Sequence, residues 1–186
     1  MLMVLGLCYN VFLIRDKQVF REATTNSLIL NALKTIFQIL CIWVITLVVF
    51  PALIINAFEI LLLESNGIKL LAGILFLMFS ILGLYSSYTM VKNGDGTPLP
   101  IDQTQKLVTQ GPYNYVRNPM AIAGIGQGIS ISIFFWSIHI LIYSLLGAIL
   151  WHFVVKPLEE KNMVERFGNE YLQYKRNVRC WIPTFK

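Results

Sequence analysis

The sequence is poor in charge and lacks several patterns that mark common binding sites. Only 13% of its 186 residues are charged, which is too few for a soluble domain of this size. The three cysteines, Cys8, Cys41 and Cys180, have neither metal-ligand spacing nor the pattern of a disulfide framework. The glycines in residues 124–128 do not have the spacing of a dinucleotide-binding fingerprint and follow no predicted strand. The apolar run Met1–Ile14 precedes its charges instead of following a basic segment, and it has no small-residue cleavage site, so we expect no cleaved signal peptide.

Hydrophobic residues are abundant and occur in long runs. They make up 56% of the chain, and the mean hydropathy is +0.63. The composition predicts an all-α, polytopic membrane protein with about four transmembrane helices and an amphipathic C-terminal helix. The net charge of +5 comes from Lys and Arg between and after the apolar runs. Those positions are typical of orientation signals and contacts with anionic membrane lipids, so we expect no nucleic-acid partner.

The runs predict where the chain crosses the membrane. The expected spans are about Thr35–Ala57, Ile68–Val91, Pro119–Trp136 and Ile138–Val155. Met1–Ile14 is short for a span and is interpreted as an interfacial or partly inserted helix. Pro51 is expected to kink the first span. Basic residues lie before the first span, in the loop 92–117 and in the tail, but are missing from the turn at 64–67. This distribution predicts a cytoplasmic C-terminus and site.

We expect a single membrane domain in two parts. Residues 1–91 form N-terminal anchor helices, and residues 92–186 carry the motifs. The polar loop 92–117 is rich in turn residues and leads directly into the junction described below, which favours a functional loop. After Pro157 the pattern predicts an amphipathic helix to about Arg176. Gly168 should weaken that helix by about 1 kcal/mol relative to alanine.

A turn sequence meets an apolar helix at Arg117-Asn118-Pro119. Proline suits the first turn of a helix, and asparagine is a good N-cap residue. The free N–H groups of that end, beside the Arg117 charge, can hold an anion such as a carboxylate. The plain alternative is a capped helix start with an arginine that touches lipid phosphate.

The motif-bearing part resembles a known family. Residues 96–98 (GTP), 107–108 (LV) and 111–120 (GPYNYVRNPM), then Glu159-Glu160, Phe167-Gly168, Tyr171 and Tyr174, are similar to the isoprenylcysteine carboxyl methyltransferase and phospholipid methyltransferase family. The resemblance covers roughly residues 94–183. It implies S-adenosylmethionine bound between the last hairpin and the C-terminal helix. It also implies a lipophilic or lipidated acceptor that enters from the bilayer.

Two positions depart from the family pattern. Asn118 stands where the family usually has histidine, and Ala121 stands where it has tyrosine. Asparagine can still hydrogen-bond a cofactor, but it does not titrate near neutral pH. The tail reads Val178-Arg179-Cys180 in place of Val-Pro-Arg, so Arg179 is the candidate for the family's guanidinium.

The resemblance and the residues together give a set of candidate site residues. The candidate catalytic residues are Arg117, Glu160 and Arg179. The candidate cofactor-binding residues are Tyr115, Asn118, Pro119, Gly124, His152, Glu159, Glu160 and Tyr171, and we expect no metal site. Gly124, Gly126 and Gly128 are interpreted as one nearly bare helix face, for a nucleoside or for close helix packing. Glu159 and Glu160 are adjacent, so they should not face the same way.

The leading hypothesis is methyl transfer from S-adenosylmethionine to a membrane-resident acceptor. A carboxylate acceptor needs no base and would be held by Arg117 or Arg179. An amine acceptor must lose a proton, for which Glu159, Glu160 and His152 are the candidates. The alternatives are a nicotinamide-dependent membrane reductase of related architecture and a small non-enzymatic membrane scaffold. Binding of S-adenosylmethionine, of a dinucleotide, or of neither separates the three.

Overall fold

A computed structural model describes residues 27–58, 65–98 and 103–184; the predicted interfacial segment Met1–Ile14 lies outside them. Five helices account for most of the described chain. They are α1 Leu28–Ala57, α2 Asn66–Gly94, α3 Pro119–Phe134, α4 Ile138–Leu150 and α5 Lys156–Asn177. The described residues contain no β-strand, only an isolated bridge between Thr97 and Gln103. The predicted all-α class is confirmed.

Three described helices are long and apolar enough to cross a membrane: Leu28–Ala57, Asn66–Gly94 and the continuous helix Ile138–Asn177. The charges of the last one begin at Lys156, so its apolar part ends there. The fourth, α3, is apolar but has only 16 residues. Large apolar side chains on the outer faces are exposed, for example Ile29 at 74% and Phe37 at 70%. That exposure suits contact with lipid.

The first two helices extend beyond their predicted spans. α1 begins at Leu28, where Ser27 caps it by accepting a hydrogen bond from the Leu30 N–H at 3.5 Å. The polar Asn31 in its first turn is buried, at 1% exposed. Hydropathy alone placed that turn outside the membrane core because it does not register polar residues that are buried inside the protein. α2 likewise continues to Gly94 instead of ending at Val91.

Two π-helical segments lie directly before prolines. Val44–Val49 precedes Pro51, and Trp151–Val155 precedes Pro157. Proline has no N–H to donate to the carbonyl four residues earlier, so the helix widens where that bond is missing. The Phe50 N–H donates to the Ile45 carbonyl, five residues back. The structure thus has a π-helical segment where Pro51 is expected to kink the span, and the kink itself stays a prediction.

The helix pair α2–α3 forms the tight centre of the bundle. Gln127 on α3 is 1% exposed and donates from Nε2 to Ser80 Oγ on α2 at 2.9 Å. The Gly83 backbone lies so close to α3 that a Cβ there would be 3.3 Å from Ala123. Ser86 is fully buried, and its hydroxyl donates to the carbonyl of Leu82. Such pairing removes the cost of burying polar groups.

Helix α5, Lys156–Asn177, has nearly the bounds predicted for the amphipathic helix, but it folds back at Gly168. Gly168 has φ 51° and ψ −125°, outside the helical region. Lys175 Nζ lies 2.7 Å from Glu160 Oε2, 15 residues earlier. A straight helix would separate those positions by about 22 Å along its axis. The segments before and after Gly168 therefore turn toward each other, with Gly168 at the bend.

The loop after α2 and the C-terminal tail bind to the rest through backbone hydrogen bonds. The Gly94 carbonyl accepts from the N–H groups of Gln105 and Lys106, which closes the loop at its base. In the tail, the Arg179 carbonyl accepts from the Arg117 N–H at 3.0 Å. The tail thus runs beside the segment that precedes α3 and fixes the backbone of Arg117.

A candidate active site at the membrane surface

A cavity of about 380 Å³ lies among α1, α2, α3, α4 and α5. One end is polar, with Arg117, Asn118, Glu159 and Glu160 in its wall. The other end is apolar and is lined by side chains of α1 and α4, among them Ile39, Ile42, Trp43, Leu47 and Trp151. The cavity wall is therefore suited to a ligand that has both a charged group and an apolar part.

Arg117 is engaged by an acidic partner at the polar end. Its NH1 donates to Glu160 Oε1 at 2.8 Å, and Lys175 Nζ approaches the other oxygen of Glu160 at 2.7 Å. The side chains of Arg117 and Glu160 are only 9% and 14% exposed. Burial opposes ionisation of Glu160, but the Lys175 hydrogen bond and the Arg117 charge hold its pKa below the ordinary value. Glu160 is therefore an ionised structural partner for two cations.

Glu159 has the opposite surroundings. Burial first, and then the charge of Glu160, raise the pKa of Glu159 to about 7. No cation among the described residues forms an ion pair with it. Since Glu159 lines the cavity, it is a carboxyl group that can bind a cation or accept a proton near neutral pH.

Two tyrosines complete the wall beside this pair. Tyr171 is 5% exposed, and its hydroxyl accepts a weak 3.4 Å bond from Arg117 NH1. Burial raises the pKa of Tyr171 to about 12, so it stays protonated. Tyr113 is 3% exposed and lines the cavity. Its hydroxyl has no hydrogen-bond partner among the described residues.

Six of the predicted site residues line this one cavity. They are Arg117, Asn118, Gly124, Glu159, Glu160 and Tyr171. The structure brings together residues from the segment before α3, from α3 itself and from both parts of α5. The juxtaposition supports the predicted site, although the individual roles stay predictions.

Four predicted residues lie outside the cavity wall. Tyr115 is 47% exposed on the surface, and Pro119 is buried as the first residue of α3. His152 Nδ1 accepts a 2.9 Å hydrogen bond from the indole N–H of Trp181, which holds the tail against α4. The Arg179 side chain is exposed, and only its backbone carbonyl contacts Arg117. The structure thus leaves Arg117 as the guanidinium of the cavity.

Asn118 does not cap α3 with its side chain, in contrast to the expectation. It occupies the N-cap position, but its side chain makes no capping hydrogen bond. Its Nδ2 instead points to Cys180 Sγ at 3.6 Å. The Asn118 backbone has φ −130° and ψ 64°, and the side chain accepts no hydrogen bond from the first turn of α3, as a capping side chain would. The amide therefore ties α3 to the tail.

The interpretation of three glycines as one bare face is wrong. Residues two apart in a helix point about 200° apart, so Gly126 faces away from Gly124 and Gly128. A Cβ on Gly126 would clash with the Phe79 ring of α2, and one on Gly128 would lie 2.6 Å from Ser144 Oγ of α4. Gly124 alone has open space beside it, and it lines the cavity.

Several contacts in the site were not identified from the sequence. Arg166 NH1 donates to Gln103 Oε1 at 2.8 Å and NH2 donates to the Thr104 carbonyl, so α5 holds the loop over the cavity. Lys175 pairs with Glu160 only because of the fold at Gly168. No local sequence pattern indicates these pairs, and Tyr113, which also lines the cavity, was not among the predicted site residues.

A comparison with known families identifies the chain. A family model described as phospholipid methyltransferase matches residues 68–170, more than half of the 186-residue chain. No curated protein matches the chain significantly. The matched range includes the polar loop, the Arg117–Pro119 junction, the α3–α4 hairpin and Glu159-Glu160, which line much of the cavity, whereas the lining residues of α1 and Tyr171 lie outside that range. The match favours the methyltransferase interpretation over the reductase and the scaffold. The chain belongs to the phospholipid methyltransferase family and is a membrane methyltransferase.

Proposed function

We propose that the protein transfers a methyl group from S-adenosylmethionine to the amine of a lipophilic acceptor such as a phospholipid. The family supports methyl transfer at a membrane. The acceptor class follows from the charges of the cavity, and the donor follows from the polar groups that the cavity offers.

The polar end of the cavity suits the amino-acid part of S-adenosylmethionine. That part carries an ammonium and a carboxylate. Arg117 Nε is a buried donor without a partner among the described residues, and it can bind the carboxylate. When bound, the cofactor supplies a methyl group already activated by a positive sulfur. Gly124, with open space beside its Cα, leaves room along α3.

The proposed acceptor class rests on the ion pairs of the charged residues in the cavity wall. Arg117 already pairs with Glu160 at 2.8 Å, and Arg179 lies outside the wall. No further guanidinium of the described residues lines the cavity to hold an acceptor carboxylate bidentately. Glu159, by contrast, has no cationic partner among the described residues. The cavity is thus better suited to a cationic headgroup than to a carboxylate.

Glu159 gives the chain a base for an amine acceptor. An ammonium has no lone pair and must first lose a proton. The Glu159 carboxylate can take that proton, because its pKa of about 7 lies closer to that of an amine than the pKa of an ordinary carboxyl group. The amine nitrogen then forms its new bond to the methyl carbon as the bond from that carbon to sulfur breaks. The apolar end, with Trp43 and Ile39, holds the acyl part of the acceptor and keeps water out.

The experiment is methyl transfer from labelled S-adenosylmethionine to defined lipids in nanodiscs. We expect label on phosphatidylethanolamine and none on a prenylated cysteine carboxylate. Label on the carboxylate alone would contradict the amine assignment and leave the methyltransferase intact.

A second measurement tests the donor. Calorimetry with S-adenosylhomocysteine should show binding near micromolar affinity, which corresponds to roughly 8 kcal/mol. Binding of a dinucleotide, with no binding of S-adenosylmethionine or S-adenosylhomocysteine, would overturn the proposal in favour of a reductase. Arg176→Ala is the control for non-specific charge effects, because Arg176 is exposed and does not line the cavity.

A further inference from the structure

The Tyr113 hydroxyl is a buried polar group with nothing to bind in the described part of the protein. The side chain is 3% exposed, and the oxygen has no hydrogen-bond partner among the described residues. Leaving such a group unpaired costs folding free energy. A phenylalanine at this position would have the same ring and avoid the cost. The hydroxyl is therefore a candidate for contact with a ligand.

The backbone around Tyr113 is held from several sides. Tyr174 donates from its hydroxyl to the Tyr113 carbonyl at 2.6 Å, and the Tyr113 N–H donates to the Gln110 carbonyl at 3.2 Å. Gly111, with φ 59°, begins the short 3₁₀ turn Gly111–Asn114 and lies against Thr89 of α2. The ring position thus follows from contacts that do not involve the hydroxyl. The oxygen is preorganised at the cavity wall.

Tyr113 and the acidic residue Glu159 line the same cavity. Burial first, then Tyr174 and Glu159, raise the pKa of Tyr113 above its ordinary value, so the hydroxyl keeps its proton at neutral pH. A neutral phenol oxygen accepts hydrogen bonds as well as donating one. A carboxylate and a phenol oxygen together are suited to a group with several N–H donors and a positive charge.

We propose that Tyr113 and Glu159 together form a binding site for a ligand ammonium, with Glu159 supplying the charge and the Tyr113 hydroxyl accepting an N–H. This inference rests on the proposed function. Two ligands of that function carry an ammonium, the amino-acid part of the cofactor and the amine of the acceptor. Tyr113 is thus a binding residue that the GPY motif presents to the cavity, beyond its role in the turn.

The test is Tyr113→Phe in the full-length protein, reconstituted in nanodiscs. The ring stays, so the fold should stay, and the melting temperature without ligand should rise because an unpaired buried hydroxyl is removed. Binding of the ammonium-bearing ligand should fall at least about tenfold. Opposite changes in stability and affinity are the signature, since a purely structural hydroxyl would not give both.

Two probes distinguish the source of the ammonium. If it belongs to the cofactor, affinity for S-adenosylhomocysteine falls while affinity for 5′-methylthioadenosine, which lacks the amino-acid part, does not. If it belongs to the acceptor, the KM for phosphatidylethanolamine rises and S-adenosylhomocysteine binding is unchanged. Equal losses for both nucleosides, or no loss in any assay, would overturn the inference.

Controls separate this inference from the proposed function. Wild-type protein that binds neither nucleoside and methylates no lipid would overturn the function and the inference together. Wild-type protein that binds, with Tyr113→Phe binding equally well, overturns the inference alone. Tyr88→Phe is the matched control, since Tyr88 is 57% exposed and does not line the cavity. In a Glu159→Gln background the effect of Tyr113→Phe should shrink, because the two groups act on one ligand group.

Discussion

Adjacent glutamates on α5 have different partners and therefore different chemistry. Glu160 lies between Arg117 and Lys175, and its pKa is held below the ordinary value. Glu159 has no cationic partner in the part of the chain that the structure describes, and burial raises its pKa to about 7. Neighbouring helical residues point about 100° apart, which is enough to give one a structural role and leave the other for a ligand.

The first prediction at this scale concerns pH and Glu159. Its folded pKa of about 7 lies above its ordinary value of 4.5, so the folded protein binds more protons than the unfolded chain between those pH values. Stability without ligand should therefore fall as pH rises from about 4.5 to about 7 and then level off. Methyl transfer should change in the opposite direction and rise as pH approaches 7, because the carboxylate is the reactive form.

Glu159→Gln should remove both pH dependences and reduce the rate by at least about a hundredfold. The measurements are melting temperature and initial rate between pH 5 and 8. Glu165→Gln serves as the control, since Glu165 is an exposed residue with a 3.9 Å surface ion pair. A pH–rate profile that is the same in Glu159→Gln and wild type would mean that another group accepts the proton.

The sequence predicted which residues belong to the site better than it predicted the contacts of those residues. The motif identified Arg117 and both glutamates, and all three line the cavity. Asn118 looked like a cap, but its amide contacts Cys180, a residue 62 positions later that no local rule connects to it. Arg179 looked like a second guanidinium, yet only its carbonyl faces the site. Local propensity does not register such tertiary contacts.

The element that most influences the site is α5 with its fold at Gly168. The apolar spacing of Val164, Phe167, Tyr171 and Tyr174 continues across that glycine, so periodicity predicts one uninterrupted helix. Only the positive φ shows the turn. The helix interiors and the α3–α4 hairpin, by contrast, follow from hydropathy, while the π-helical segments follow from the missing N–H groups of two prolines.

The element-scale prediction is that Gly168→Ala disrupts the fold-back. A side chain at φ 51° and ψ −125° is strained, at a cost of about 1–3 kcal/mol, although nothing lies within 4 Å to obstruct it. We expect lower thermal stability and loss of cofactor binding. Lys175 would move away from Glu160, and Tyr171 would move away from Arg117. A spin-label distance between positions 161 and 176, which are exposed and do not line the cavity, would show the separation directly.

Gly73→Ala is the matched control for this substitution. Gly73 also has nothing within 4 Å of a Cβ, but it has ordinary helical geometry within α2. Alanine there should be neutral or stabilising by up to about 1 kcal/mol. If Gly168→Ala behaves like Gly73→Ala in stability and binding, the fold-back is not required.

At the scale of the whole molecule, the ends of several helices contribute residues to the cavity wall. The C-terminal end of α2, the start of α3 and the end of α4 all contribute to the cavity, through Met90, Asn118 and Trp151. The turn between α3 and α4, at Trp136 and Ser137, lies at the opposite end of the hairpin and does not line it. The charged residues of the cavity wall therefore lie away from this turn, although the cavity reaches Gly128 and Ser144 inside the hairpin.

We predict that the polar end of the cavity is cytoplasmic, with four passes for α1 to α4. The basic residues near the cavity, including Lys92, Lys106 and Arg117, support the orientation. A fluorescent reporter after Lys186 should be active in the cytoplasm. A cysteine introduced at Asn66, in a variant without its native cysteines, should react with an impermeant reagent from the other side. Labelling from the cytoplasmic side would reverse the topology.

The tail contacts also bear on the order of biosynthesis. The Arg117 N–H bonds to Arg179, and His152 bonds to Trp181, so the site depends on residues translated well after the last apolar segment. The helices can enter the bilayer as each emerges from the ribosome, but the pocket is incomplete until position 181 has been made. Nascent chains stalled after Val155 should therefore be membrane-inserted and yet unable to retain the methyl donor.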